Sequence, residues 1–362
     1  MIPAHWRRPF ARPMPNAIQM QVLVAIFAQE AEARRAFADW RKALDLKDHF
    51  DPLVFSLLPL LYLRLCDLGI KDDLMPRLKG VCRHVWARNS YLLHQTAPAV
   101  AVLERAGMPT LMLKGAPLSL TVYSTPAARP MEDIDVFVPE ERLAEAVRLL
   151  HAAGWTSDKI MSFAHATAFR NGAGGEFDLH WHIMTETVKN PVEARFWETG
   201  KPFDLNGVAT RMLDPALSLL HVLVHGLRSN PVPPIRWIPD ALTLIRHYDD
   251  LDWNLLVVTA RDISVTQRVH LGLSYLHKHF AAAIPVETLK ILSTSRRGLI
   301  ERAETAALLC ETRGLIGNAV TKPVILLADY YRQAGKHGLR HVPEFLGYAR
   351  RRLTLTWDFK IR

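Results

Sequence analysis

The chain has 362 residues, 49% of them hydrophobic and 22% charged, which is more than one hydrophobic core usually organises and too apolar for a disordered or fibrous protein. Forty-five Lys and Arg against 36 Asp and Glu leave a formal net charge of +9, an excess that favours an anionic partner without specifying its chemistry. Along the chain, apolar residues recur at helical spacing from about residue 19 to 105, as in Val54, Leu57, Leu58, Leu61 and Leu65, with breaks at Pro52, Gly69 and Pro76. The stripe of Leu92, Leu93, Ala97, Val100 and Leu103 predicts a helix over 89–105, kinked at Pro98 and ended by 107–109.

The pattern then changes. Residues 110–113 are short and apolar, and 132–138 and 176–183 alternate, which is strand patterning. A short helix is predicted over 116–123, and a second over 140–153 with Leu143, Ala146, Val147 and Leu150 on one side and Gly154 as its stop. Residues 206–210 read as a loop. Helical spacing then returns behind Asp214, a candidate N-cap, with helices expected over 215–227, 239–248, 253–261, 265–280 and 299–312. The fold class is therefore α+β, with a small sheet-bearing core over 109–210 between helical regions at 1–108 and 211–362.

Cys66, Cys82 and Cys310 are too few and too scattered for a disulfide framework or a thiolate zinc site, and they fit a reducing, cytoplasmic setting. No signal peptide is read at the N-terminus. The longest apolar stretches, 55–63 and 217–224, fall short of the roughly 20 residues that a membrane span needs.

The chemistry concentrates on the strands. In Glu132-Asp133-Ile134-Asp135-Val136-Phe137-Val138, alternation puts Asp133 and Asp135 on one face, roughly 6 to 7 Å apart, and sends Ile134, Val136 and Val138 into the core. Two like charges so close call for a divalent cation, and magnesium suits carboxylates combined with substrate phosphates. The strand at 176–183 repeats the pattern, with Phe177, Leu179, Trp181 and Ile183 on one side and Asp178, His180 and His182 on the other. Asp178 is the candidate third carboxylate. Upstream, Lys114-Gly115 closes a strand at the start of a helix, where free backbone N–H groups favour an anion. Lys114 adds a point charge there, and Arg129 a forked donor for a triphosphate.

His180 and His182 could join a metal with Asp178, although hydrogen bonding to neighbours is the favoured reading. His221 and His225 lie one helical turn apart but lack the glutamate of the zinc-protease pattern. They are expected to be satisfied at a packing face, with His225 as a candidate for the cleft. Arg236 and Asp240 are spaced for an i, i+4 pair. Arginine clusters at Arg7, Arg8 and Arg12, at Arg296 and Arg297, and at Arg350, Arg351 and Arg352 read as solvated faces, since no recognised nucleic-acid module accompanies them.

The runs LKGAPLSLTVYSTPAARPMEDIDVFV, EFDLHWHI and HVLVHGLRSNPVPPIRWIPDAL, with LLPLLYLRL nearer the N-terminus, resemble a little-characterised nucleotidyltransferase family. Its members show a Lys-Gly turn, an Arg-Pro-x-x-Asp-Ile-Asp strand, an Asp-Leu-His-Trp strand and a His-rich helix before an Arg-Trp-x-x-Asp segment. The resemblance implies a mixed-sheet core of the polymerase-β-like nucleotidyltransferase fold. It further implies two Mg2+ ions, or Mn2+ in their place, on Asp133, Asp135 and Asp178, and attack on the α-phosphate of a nucleoside triphosphate. Lys114, Gly115 and Arg129 would face the nucleotide, and Asp178 would orient or deprotonate an acceptor hydroxyl. The superfamily turn is commonly Gly-Ser or Gly-Gly; this chain has Lys114-Gly115 and no Ser there. The acceptor implied is a small molecule, peptide or protein, with RNA less favoured. The competing readings are a non-catalytic regulatory or antitoxin-like protein on the same fold, against which the intact carboxylates argue, and a transferase acting on RNA.

Overall fold

The computed structural model describes residues 13–44, 52–158, 160, 164–188, 190–228, 235–309, 323–328, 330–332, 346–347 and 349. The arginine clusters near both termini, Cys310 and the end of the helix predicted over 299–312 lie outside the described residues.

Helices open the chain, as the spacing requires. α1 (Ala17–Phe27) begins with a capping box in which Asn16 and Gln19 each accept the other's backbone N–H. α2 (Glu30–Lys42), α3 (Pro52–Phe55) and α4 (Leu58–Asp67) follow. α5 (Met75–Arg105) is a single 31-residue helix that places Pro76 in its first turn, where a missing N–H costs nothing, and carries Pro98 inside without ending.

Seven strands then form one mixed sheet in the order β3-β4-β5-β2-β1-β7-β6. They are β1 (Leu111–Leu113), β2 (Asp135–Phe137), β3 (Trp155–Ser157), β4 (Ala166–Asn171), β5 (Glu176–His180), β6 (Lys201–Leu205) and β7 (Val208–Met212). β1 runs antiparallel to β2 and parallel to β7, and β2 runs parallel to β5. α6 (Gly115–Pro117) and a π-helical turn (Leu118–Val122) join β1 to β2, while α7 (Leu143–Ala152) and α8 (Glu193–Thr199) pack outside the strands. The stretch read as a loop at 206–210 is instead a hairpin. Asn206 and Gly207, at φ 51 and 85, make a two-residue turn, and Val208 to Thr210 pair back onto β6. An Asn-Gly pair suits a turn that needs positive φ at both positions.

Asp214 caps α9 (Pro215–Gly226) by accepting from the Ala216 N–H at 2.9 Å. The helices after it are α10 (Trp237–His247), α11 (Trp253–Asp262), α12 (Thr266–Phe280), α13 (Val286–Thr294) and α14 (Leu299–Leu309). Among the described residues, no helix is long and apolar enough to cross a membrane.

The pleat divides the interior in two. Met112, Ile134, Val136, Val138, Phe177 and Leu179 pack with the second half of α5 and with Ala146 and Leu150 of α7. Leu111, Leu113 and Phe137 face the other way, into a larger core. There the helices of both ends meet, with Val22, Leu23, Leu58 and Leu61 packed together with Leu217, Leu220, Leu223 and Leu242. Trp237 Nε1 reaches across to the Pro13 carbonyl at 2.7 Å. α9 and α10 approach so closely that a Cβ on Gly226 would sit 2.1 Å from Trp237 Cβ, which is why only glycine fits there.

Candidate active site

Strand register builds the site. Leu113 pairs with Asp135, Asp135 with Asp178, and Phe137 with His180, so these side chains share the sheet face that α9 covers. One ligand atom each from Asp135, Asp178 and His180 falls within 4.8 Å of the others. Lys114, the residue after β1, is held at φ 49, a left-handed conformation uncommon outside glycine. From there its Nζ donates to Asp135 Oδ1 at 2.6 Å. His180 Nε2 meets the same oxygen at 2.8 Å, and its Nδ1 faces the His182 carbonyl at 3.3 Å.

The charges are strongly coupled. Burial works against ionising Asp135, but Lys114 and the His180 hydrogen bond hold its carboxyl well below the usual carboxylate range. Asp178 moves the other way, raised by burial and by the Asp135 charge. Asp133 precedes β2 and opens to solvent, yet surrounding protein and the negative charge of Asp135 push its carboxyl up to about 7. The converging group is two carboxylates and one imidazole, with Asp133 outside it among the described residues, and its carboxylate oxygens are the hard donors that suit a magnesium-like cation. Across from them on α9, burial and the Lys114 charge hold His221 and His225 well below the ordinary histidine range.

Several expected residues sit differently. Arg129 is buried and forms a two-pronged pair with Asp240, Nε to Oδ1 and Nη2 to Oδ2 at 2.8 Å each. Tyr123 donates to the same Asp240 Oδ1 at 2.7 Å. The guanidinium thus braces the turn, and its Nη1 would lie 2.9 Å from a Cβ on Gly115. The expected Arg236–Asp240 pair does not form. Asp240 is committed to Arg129, and Arg236 donates to the Pro130 carbonyl at 2.7 Å. His182 lies beyond the end of β5, where alternation no longer holds, and its Nδ1 meets Glu193 at 2.9 Å. His225 stacks edge-on against His221, with centroids 6.1 Å apart. His221 is buried with neither ring nitrogen hydrogen-bonded, contrary to the satisfied packing role expected of it.

Two supporting residues had no sequence reading. Asn89 of α5 donates to the Pro126 and Arg129 carbonyls at 2.7 and 2.8 Å and accepts from the Met131 N–H at 3.1 Å, fixing the approach to β2. Its signal was a polar residue beside the apolar stripe. Glu193 accepts from the Ile183 N–H at 2.9 Å and from Thr187 Oγ1 at 2.7 Å, fixing the exit from β5.

A family model described as uncharacterised nucleotidyltransferase matches residues 54–281, which include every strand and α4 through α12. The chain belongs to this family of nucleotidyltransferases. No curated protein matches it. Among solved structures, it is similar to an antigenic nucleotidyltransferase-like protein from Paracoccidioides brasiliensis, at 15% identity and a TM-score of 0.37, over 61% of this chain and 98% of that one. It is also similar to the antibiotic-resistance factor ANT(2'')-Ia, at 13% identity and a TM-score of 0.32, over 54% of this chain and 95% of that one. Both share too little with this nucleotidyltransferase to inform its chemistry.

Proposed function

We propose that the protein transfers a nucleoside monophosphate from a nucleoside triphosphate to an acceptor hydroxyl or phosphate, dependent on magnesium or manganese. The observation that carries this reading is the convergence of Asp135, Asp178 and His180 within 4.8 Å beside Lys114. Asp133, Asp135 and Asp178 would hold two divalent ions, with His180 orienting Asp135. When bound, such ions neutralise the triphosphate and stabilise both the entering and leaving oxygens. Asp178, with its raised carboxyl, accepts the acceptor proton as the acceptor oxygen attacks the α-phosphorus. The α–β bridging bond breaks and pyrophosphate leaves in line.

Lys114 contributes charge at the turn. Arg129 and Met131 pack against Gly115 so closely that a Cβ there would meet Arg129 Nη1 at 2.9 Å, which holds the turn and its backbone N–H groups in place. His225, kept neutral, faces the site from α9. A small molecule, peptide or protein is the favoured acceptor, in a cytoplasmic setting. The test incubates the full chain with each α-labelled nucleoside triphosphate, magnesium and a soluble extract. Label should enter an acceptor with release of pyrophosphate and should fail to do so in Asp135→Asn. Equal labelling by that variant would refute the reading.

A further inference from the structure

A second cleft lies away from the carboxylates. It occupies about 490 Å3 between the end of α1, α4 and α10, within the size range of small-molecule sites. Ile26, Phe27, Leu60 and Leu63 supply apolar wall, and Arg64 and Arg246 supply charge. No residue of β1, β2 or β5 lines it.

Arg64 is half-buried and Arg246 exposed, and both differ from the buried arginines of the chain. Arg129 is matched by Asp240, and Arg268 by Glu186 at 2.6 Å. Among the described residues, neither Arg64 nor Arg246 has a carboxylate within ion-pair distance. Asp67, which also lines the cleft, pairs with neither. Each is instead held by a main-chain carbonyl of the α1–α2 junction. Arg64 Nη2 donates to Ala28 at 3.1 Å, and Arg246 Nη2 to Phe27 at 3.0 Å with its guanidinium 5.2 Å from the Phe27 ring centre. Arg64 Nε is buried with no partner. Burial and the charge of Arg64 both lower the Arg246 pKa from its ordinary value, as expected of two cations facing one cleft. The buried Arg64 Nε lacks the acceptor that a ligand would supply, and two like charges facing one cleft favour a shared counter-charge.

We propose that this cleft binds a small organic oxyanion, a phosphoryl or carboxylate group on an apolar or aromatic body, gripped by Arg64 and Arg246. The guanidinium forks match planar and tetrahedral oxyanions, and the aliphatic and Phe27 walls take the body. The site stands one step from the catalytic turn. Ser124 lines it, and the adjacent Tyr123 joins the Asp240–Arg129 pair that abuts Gly115.

The test titrates phenyl phosphate and benzoate, with benzyl alcohol as the neutral control, against the full chain by calorimetry and saturation-transfer NMR. At least one of the two anions should bind saturably and the alcohol should not, the stronger anion identifying the head group. Arg64→Gln and Arg246→Gln should each weaken binding roughly tenfold or more, while Lys114→Met should leave it unchanged. Arg246 is solvent-exposed on α10, so Arg246→Gln decides the matter if Arg64→Gln fails to fold. Three results overturn the proposal: no saturable binding of either anion, wild-type affinity in a folded Arg246→Gln, or binding that Lys114→Met abolishes.

Discussion

Lys114 Nζ lies 2.6 Å from Asp135 Oδ1, across the rung that joins β1 to β2. Asp135 is buried and Lys114 half-buried, so each is the other's principal counter-charge. Removing one partner of such a pair leaves an uncompensated charge, and Lys114→Met should cost about 3 kcal/mol in urea denaturation at pH 7. The folded Asp135 carboxyl is depressed, so its stabilisation is present above the ordinary aspartate value of about 3.9 and is lost as pH falls further. Without Lys114 that depression shrinks, and the acid-unfolding midpoint of Lys114→Met should move to higher pH.

Asp133 shows the opposite sign. Its folded carboxyl is raised to about 7, so the native state binds more protons than the unfolded chain between the two values, and stability falls as pH rises through that window. Asp133→Asn removes the penalty. Its melting temperature should exceed that of the wild type at pH 8, and the gain should vanish below about pH 4. No gain at pH 8 would show that Asp133 ionises normally, and a gain that persists in acid would show that it does not come from the carboxyl's charge.

The Arg129–Asp240–Tyr123 cluster is buried and joined by three charge-assisted bonds. Asp240→Ala should cost about 3 to 5 kcal/mol, because it strands the guanidinium. Tyr123→Phe removes one bond to a charged acceptor and should cost about 1.5 to 3 kcal/mol. Arg129→Lys should not rescue stability, since an ammonium cannot reproduce the two-pronged geometry. Chemical denaturation of the three variants checks the order.

Gly226→Ala would place a methyl group 2.1 Å from Trp237 Cβ, where no rotamer relieves the clash. Separating α9 from α10 should cost about 1 to 3 kcal/mol or more. A stability within 0.5 kcal/mol of wild type, the scatter of surface substitutions at about that size, would mean that the helices part easily.

Much of the site was legible because strand alternation is a local rule. Asp135, Asp178 and His180 fall on one face by counting from the core-facing Val136 and Leu179. The rule stopped at His180, where β5 ends, and so misplaced His182 and sent Ile183 to the other core. Arg129 and Asp240 are 111 positions apart, and no periodicity in either segment announces that they meet. β3 and β4 were not read as strands, since each buries only one residue fully, Trp155 and Phe169, and so lacks an apolar alternation, and the Asn206-Gly207 hairpin went unread despite its turn residues. Helical spacing showed the apolar stripes of α4 and of the second half of α5, but not which elements those stripes pack against.

The account rests on Asp135 and Asp178 forming a cation-dependent nucleotide site. The most direct measurement is Mn2+ binding to the full chain by electron paramagnetic resonance, with and without a non-hydrolysable nucleoside triphosphate, in the wild type, Asp135→Asn and Asp178→Asn. Wild-type protein should bind Mn2+ more tightly with nucleotide present, and each variant should weaken binding by roughly tenfold or more, as loss of a charged ligand predicts. Equal Mn2+ binding by all three proteins, or none by the wild type, would contradict it.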